Sequence, residues 1–166
     1  VINPISGGID KTSIIKTIKS SFATDFIVFY TTGSADKKAL IQEIEKFQPK
    51  IIIAVGGDGT ILFCSEVIMT LSQKPLLGIL PTGSANGMAK ELQIPDNYEE
   101  AIEIIKKREN ESSLDLIQIN KDIYCLHIGD AGLNARIVRD YTQDGQRGYF
   151  TYAKYFFEEL KKAETF

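Results

Sequence analysis

The sequence predicts an α/β fold built around a parallel β-sheet. Three observations support this prediction: apolar runs that are continuous, helical patterns in the gaps between them, and a glycine-bearing turn after each run. Continuous apolar runs are typical of parallel strands that helices cover on both faces. When strands and helices alternate along a chain, the crossover connections bring the strands together as parallel neighbours.

The predicted strands are short and rich in β-branched or aromatic residues. They are residues 1–2, 26–30, 51–55 and 76–80. Between them, and after Pro95, apolar residues recur at intervals of three and four, which predicts helices. Their apolar faces hold Ile14, Ile15, Ile18 and Phe22; Leu40, Ile44 and Phe47; Ile61, Cys64, Ile68 and Leu71; and Tyr98, Ala101, Ile102 and Ile105. We expect Thr60 to cap the third of these helices, and Asp96, paired with Glu99, to cap the fourth.

A change of pattern near residue 114 predicts a second domain. The polar stretch 106–113 indicates a boundary, and two strand-like runs, 114–119 and 123–128, follow it. Two such runs separated by Asn120-Lys121-Asp122 are typical of an antiparallel hairpin. A last helical pattern holds Tyr149, Tyr152, Ala153, Phe156 and Leu160. We therefore divide the chain into an α/β domain, residues 1–113, and the beginning of a second domain, residues 114–166.

Composition and charge exclude several classes of protein. Hydrophobic residues make up 43% and charged residues 25%, which is globular and excludes disordered and fibrous chains. Lys and Arg number 19 against 22 Asp and Glu, with no basic block, so we expect no nucleic-acid partner. No apolar run approaches the roughly 18 residues of a transmembrane helix. Two cysteines favour a reduced, cytoplasmic setting over a disulfide framework. Because the chain shows no initiator methionine and no signal peptide, we expect a segment of a longer protein.

The turns after the four predicted strands combine glycine with hydroxyl or amide residues. They are residues 3–8, 31–34, 56–60 and 81–87. In an open parallel sheet these turns share the carboxyl edge, where ligands bind. Glycine lets backbone N–H groups approach an anion, and helix amino termini attract it. The turns therefore predict a phosphate site and a Rossmann-like nucleotide-binding domain, although no Walker A or Gly-x-Gly-x-x-Gly pattern is present.

Asp58 needs its own explanation, because a bare carboxylate beside phosphates is repelled. Two alternatives stay open: Asp58 faces a cation, most simply Mg²⁺ held directly or through water, or backbone donors hold it as a turn brace. His127, the only histidine, is expected to be structural. Cys64 and Cys125 are expected to be small core residues. No cluster with the spacing of zinc ligands is found in the sequence.

In their order along the chain, these motifs resemble the diacylglycerol kinase catalytic-domain family, which includes bacterial lipid kinases and sphingosine kinases. The resemblance rests on Asn-Pro-x-Ser-Gly at 3–7, a threonine at the second strand end, Gly-Gly-Asp-Gly-Thr at 56–60 and Pro-x-Gly-Ser-x-Asn at 81–86. It continues with Leu-Asp-Leu at 114–116, Gly-Leu-Asn-Ala at 132–135 and Gly-Tyr-Phe-x-Tyr at 148–152.

The resemblance implies an ATP-dependent lipid kinase that phosphorylates a hydroxyl of a diacylglycerol-like or sphingoid lipid in phospholipid biosynthesis. It implies that Asp58 is catalytic and organises Mg²⁺. The resemblance further implies a cytoplasmic protein, peripheral at the inner face of the membrane, that binds its lipid substrate at the membrane surface. The resemblance also implies that the second domain is β-rich and binds the lipid substrate. It implies that the acid or base acting on the acceptor lies in a later part of that domain, so we expect no turnover by this segment alone. The implied nucleotide-binding residues are Asn3, Pro4, Ile5, Ser6, Gly7, Thr31, Gly56, Gly57, Asp58, Gly59, Thr60, Gly83, Ser84 and Asn86.

The chain departs from the family pattern at two places. Leu62-Phe63 stands where the family usually has Asn-Glu, and Glu66 follows nearly one turn later. Asn86-Gly87-Met88 stands where the family commonly has Asn-Asp-Phe, which removes a carboxylate. Two other functions stay open. One is an NAD kinase, which shares the Gly-Gly-Asp-Gly-Thr turn, and the other is a nucleotide-binding module without catalysis.

Overall fold

The computed structural model describes residues 1–8, 10–33, 35–108, 110–121, 123–127 and 154. The chain divides into two compact units, Val1–His127 and Ile128–Phe166. Every element described below lies in the first unit. The predicted helical pattern at 149–160 and the family-like motifs at 132–135 and 148–152 lie outside the described residues, apart from Lys154.

A parallel sheet forms the centre of the first unit. Strand β1, Ile51–Gly56, pairs with β2, Leu76–Pro81, in a continuous parallel register. On the other side of β1, Ile2 forms parallel bridges to both Val55 and Tyr30. Four segments therefore run side by side in the same direction, which confirms the predicted α/β fold. The first two predicted strands are each reduced to a single bridged residue, Ile2 in the first and Tyr30 in the second.

Helices cover both faces of this sheet. They are α1 Thr12–Ser21, α2 Asp36–Phe47, α3 Asp58–Thr70, α4 Gly87–Glu91 and α5 Tyr98–Lys107. Alternate residues of β1 point to opposite faces. Ile52 and Ala54 join α2, α3 and α4 in one buried cluster, whereas Val55 joins α1 and α5 in a second. Burial on both faces explains why the strand sequence is apolar throughout.

The amino ends of two helices differ from the sequence prediction. Helix α3 begins at Asp58 with Gly57 as its N-cap, so the prediction of Thr60 as a cap is wrong. Thr60 is buried in the first turn, because the glycine motif itself forms the start of the helix. Helix α5 is capped by Asn97 rather than Asp96, since the Asn97 side chain accepts hydrogen bonds from two amides of the first turn. The prediction of Asp96 as the cap is therefore wrong by one position, although asparagine and aspartate are both favoured as N-caps.

The predicted hairpin is present after the α/β elements. Strand β3, Ile117–Ile119, pairs antiparallel with β4, Ile123–Cys125. Asn120 and Lys121 in the connection take positive φ, which suits a tight reversal. The hairpin belongs to the same compact unit as the sheet. The domain boundary at residue 114 stays a prediction. Within the described residues, no helix is long and apolar enough to cross a bilayer.

Candidate functional site

The first and fourth turns touch at the carboxyl edge of the sheet. Gly7 takes a positive φ of 60°, and a Cβ at this position would overlap the carbonyl oxygen of Thr82. The hydroxyls of Ser6 and Thr82 lie 3.2 Å apart, within hydrogen-bond distance. The Ser6 hydroxyl also donates to the Asn3 carbonyl at 3.0 Å, which closes the first turn on itself. Glycine is therefore required at residue 7 both by conformation and by space.

The third and fourth turns touch in the same way. The Thr82 amide donates to the Gly56 carbonyl at 2.8 Å, extending the pairing of β1 and β2 by one residue. A Cβ at Gly83 would overlap the Cα of Gly57. A Cβ at Gly57 would crowd the Cα of Gly83 at 3.1 Å. Backbone therefore packs against backbone, and glycine at residue 83 makes the approach possible. Three of the four predicted turns form one contiguous surface.

Asn86 fixes the shape of the fourth turn. Its φ of 52° places it in the left-handed region, which asparagine tolerates better than most residues. Its side-chain oxygen accepts a hydrogen bond from the Gly83 amide at 2.8 Å. The loop 83–86 is therefore closed by one of its own side chains. Ser84, at the tip of this loop, is exposed, so its hydroxyl is free to meet a ligand.

Asp58 connects the third turn to helix α4. Its two carboxylate oxygens accept hydrogen bonds from the amides of Gly87, at 3.0 Å, and Met88, at 2.8 Å. This is the brace that the sequence left as one of two alternatives. Each carboxylate oxygen has a further lone pair, so the brace leaves room for a cation on the other side. Asp58 therefore couples the geometry of the two turns whether or not it also meets a metal ion.

The second turn is organised differently. The buried Asp36 carboxylate, in the first turn of α2, accepts hydrogen bonds from the Thr32 amide at 2.6 Å, the Thr32 hydroxyl at 2.9 Å and the Gly33 amide at 2.8 Å. These bonds, the one from Gly33 first, lower the pKa of Asp36, although burial opposes them. Thr31 donates its amide to the Ile2 carbonyl at 2.9 Å. Thr31 thus lies at the carboxyl edge of the sheet, and Asp36 accepts the hydrogen bonds of the two amides that follow Thr31.

Two residues of the site escaped the sequence prediction. Thr82 is buried between the first and third turns, and a threonine in a glycine-rich turn gives no signal of that role. Lys11 is also buried, and its ammonium donates to the Ser6 carbonyl at 2.6 Å. Burial lowers the pKa of Lys11. The signal in the sequence for this burial is that Lys11 directly precedes α1, whose apolar face packs on the sheet.

The remaining predicted residues are placed as follows. Pro4, Ile5 and Gly59 are exposed, and a Cβ at Gly59 would meet open space. Glu66 forms an ion pair with Lys37 of α2 at 3.3 Å. The ion pair gives Glu66 a structural role, the contact between α3 and α2, that does not involve the site.

Metal-binding and cysteine chemistry are limited in the described part of the chain. There, no group of three or more His, Cys, Asp or Glu side chains is arranged to hold a metal ion. Cys64 is buried, and burial raises the pKa of its thiol to about 11. This thiol therefore behaves as a core residue, as the sequence indicated, whereas Cys125 is partly exposed.

Comparison with known proteins adds an independent line of evidence. Residues 1–119 match the diacylglycerol kinase catalytic domain. A probable lipid kinase YegS-like protein of Yersinia enterocolitica is 30% identical over 162 residues, covering 96% of this chain and 54% of the relative. The corresponding Yersinia pestis protein is 29% identical over 161 residues, covering 96% of this chain and 53% of the relative. The chain spans about half the length of these curated relatives.

Solved structures show the same similarity. The crystal structure of a diacylglycerol kinase from Bacillus anthracis matches this chain with a TM-score of 0.61 and 28% sequence identity. The match covers 72% of this chain and 44% of that chain. The fold and the order of the motifs therefore agree with the same group of proteins.

Proposed function

The chain belongs to the diacylglycerol kinase catalytic-domain family, and on that premise we propose that it is the nucleotide-binding part of an ATP-dependent lipid kinase. The complete protein would transfer the γ-phosphoryl group of ATP to a hydroxyl of a diacylglycerol-like or sphingoid lipid. Membership of this family favours lipid phosphorylation over the NAD kinase alternative.

The observation that carries the proposal is the direct contact of three glycine-bearing turns. Gly7 packs against Thr82, and Gly83 packs against Gly57. Phosphoryl transfer depends mainly on positioning and on stabilising charge, which a rigid surface of backbone amides and hydroxyls can supply. We propose that the triphosphate lies across this surface, with the exposed Ser84 hydroxyl as one side-chain donor.

The predicted nucleotide-binding residues divide into two roles in this proposal. We call the surface formed by the three touching turns the phosphate cradle. It is shaped by residues that contact one another, and these are Asn3, Ser6, Gly7, Gly56, Gly57, Thr60, Gly83 and Asn86. Others are exposed at its rim and would contact the nucleotide directly, and these are Pro4, Ile5, Gly59 and Ser84. Thr31 would lie at the end of the cradle beside Ile2.

Asp58 fits a role in holding Mg²⁺. Mg²⁺ is usually bound by one or two carboxylates together with substrate phosphates and waters. Asp58 offers one carboxylate at the cradle, with a lone pair left on each oxygen after the bonds to Gly87 and Met88. When bound, Mg²⁺ would neutralise charge on the phosphates. Asp58 would then do two things, bracing α4 and orienting the ion.

The acceptor side of the reaction follows from the family and not from the described residues. We propose that the protein is cytoplasmic, peripheral at the inner face of the membrane, and binds its lipid substrate at the membrane surface. We also propose that residues 1–166 alone bind ATP without turning over, because the group acting on the acceptor hydroxyl would lie in the rest of the second domain. In this proposal, the alternative of a nucleotide-binding module without catalysis describes this segment by itself.

A radiolabelled-ATP assay of the complete protein tests the proposal. The protein would be offered mixed lipid vesicles and, separately, NAD⁺. We expect label in a diacylglycerol-like or sphingoid lipid and none in NAD⁺. A triacylglycerol, which has no free hydroxyl, is the matched control acceptor. Label in NADP⁺ would show the alternative kinase, and ATP binding without transfer to any acceptor would leave only the nucleotide-binding module.

A further inference from the structure

Gly87 is glycine for a reason of space. It is not among the positive-φ glycines of the described residues, so its backbone does not require glycine. A Cβ at Gly87 would lie 2.8 Å from Nε2 and 2.9 Å from Cδ2 of His127. Both distances are shorter than real Cβ contacts. The imidazole therefore occupies the volume that any side chain on residue 87 would need.

The hairpin brings His127 to this position. Strand β4 packs against α3, and Leu126 packs against the buried cluster that α3 shares with the sheet. His127 follows directly and is exposed. Within the described part of the chain, its ring nitrogens take part in no hydrogen bond or ion pair. A satisfied structural histidine, as the sequence suggested, would be bonded, so this side chain has donor capacity to spare.

His127 lies beside the phosphate cradle. The Cβ position on Gly87 is also 3.7 Å from Oδ2 of Asp58, so the imidazole and the carboxylate both lie close to the first residue of α4. Asp58 already engages the amides of Gly87 and Met88. These amides are therefore directed to Asp58, and a phosphate near this point must find its donors among side chains.

We infer that His127 is a further nucleotide-binding residue, donating a ring N–H to a phosphate oxygen, and that Gly87 is the glycine that makes room for it. The inference rests on the proposed function. An imidazole N–H is a suitable donor for an anionic oxygen. Ser84 and His127 would then both donate to phosphate oxygens near the start of α4.

Isothermal titration of the complete protein with ATP tests the donor role. We expect His127→Ala to weaken ATP binding by about tenfold, the scale of one hydrogen bond to a charged group. His127→Gln keeps an N–H donor and should stay within about threefold of the unaltered protein. Because His127 is exposed, both variants should unfold at the same temperature as the parent. Unchanged ATP affinity in His127→Ala, or equal losses in both variants, would overturn the inference.

The second half of the inference needs the two positions together. Gly87→Ala should displace the imidazole and weaken ATP binding by about tenfold in the unaltered protein. In the His127→Ala background the same change should cause no further loss, since nothing is left to displace. A loss of equal size in both backgrounds would show that Gly87 acts independently of His127, contrary to the inference.

The lipid assay separates this inference from the proposed function. Lipid phosphorylation with unaltered affinity in His127→Ala would support the kinase and overturn the role of His127. ATP binding that responds to His127 as expected, without transfer to lipid, would support His127 and overturn the kinase. Absence of ATP binding in the unaltered protein would overturn both.

Discussion

The second and fourth turns end parallel segments of the same sheet and look alike in sequence, yet they differ in whether they contact other turns. In the second turn, the amides of Thr32 and Gly33 donate to Asp36, which is part of the helix that follows. In the fourth turn, the Gly83 amide likewise donates to a side chain three residues later, that of Asn86, but the backbone also contacts other turns, since Gly83 packs on Gly57 and Thr82 on Gly7. A glycine-bearing turn can thus serve the start of its own helix alone, or it can also form a surface shared with its neighbours. Only the second arrangement leads us to propose a phosphate cradle.

The comparison predicts its largest effect at Asp58. Replacing Asp58 with Ala removes the brace on α4 and the proposed Mg²⁺ contact together, so we expect kcat of the complete protein to fall at least about 100-fold. The loss of two hydrogen bonds should also lower the free energy of unfolding by about 1–2 kcal/mol. Steady-state kinetics and urea unfolding measure the two effects. An Asp58→Ala protein with near-normal kcat would remove Asp58 from the site.

Glycine at residue 7 is expected to matter next. Gly7→Ala would force a Cβ into the Thr82 carbonyl and strain the positive φ, so ATP affinity should fall by about 30-fold. Gly8→Ala is the matched control, because Gly8 has a φ of 64° but no neighbour within 4 Å. It should show the strain alone, with a loss in ATP affinity below about threefold. Equal losses in calorimetric titrations of the two variants would mean that the contact between turns is irrelevant to binding.

The smallest effect on binding is expected at Asp36. Asp36→Asn should leave ATP affinity within about twofold and lower Tm by roughly a few degrees at pH 7, because it weakens the bonds within the second turn. The lowered pKa of Asp36 means that its ionised form stabilises the folded state above the ordinary carboxyl pKa of about 4. This stabilisation disappears as the pH falls through the folded-state pKa. The difference in Tm between the two proteins should therefore stay constant from pH 7 to about pH 4 and narrow as the pH is lowered further. A difference that does not narrow below about pH 4 would show that the carboxylate charge is not what stabilises the turn.

The sequence was sufficient for the α/β fold, the hairpin and the position of the glycine turns. These features follow from local patterns: apolar runs such as 51–55 and the turn signal at 120–122. What it could not predict depends on contacts between distant residues. Whether Asp58 acts as a brace depends on residues 87 and 88, some thirty positions away. The cap is a local error instead, since α5 begins one residue later than the prediction of Asp96 as its cap requires. The burial of Thr82 depends on the packing of three turns, which no single motif encodes.

The approach of Gly83 to Gly57 has a consequence for how such a sequence can change over time. Neither glycine is required by its own φ. A Cβ on Gly83 would overlap the Cα of Gly57, and a Cβ on Gly57 would crowd the Cα of Gly83 at 3.1 Å. A side chain at one of the two positions is therefore tolerated only where the backbone of the other lies farther away. In a lineage where the turns have moved apart, both positions become open to larger residues together. Paired replacement of these two glycines across related chains would accordingly mark a widened site, and single replacement should be rare.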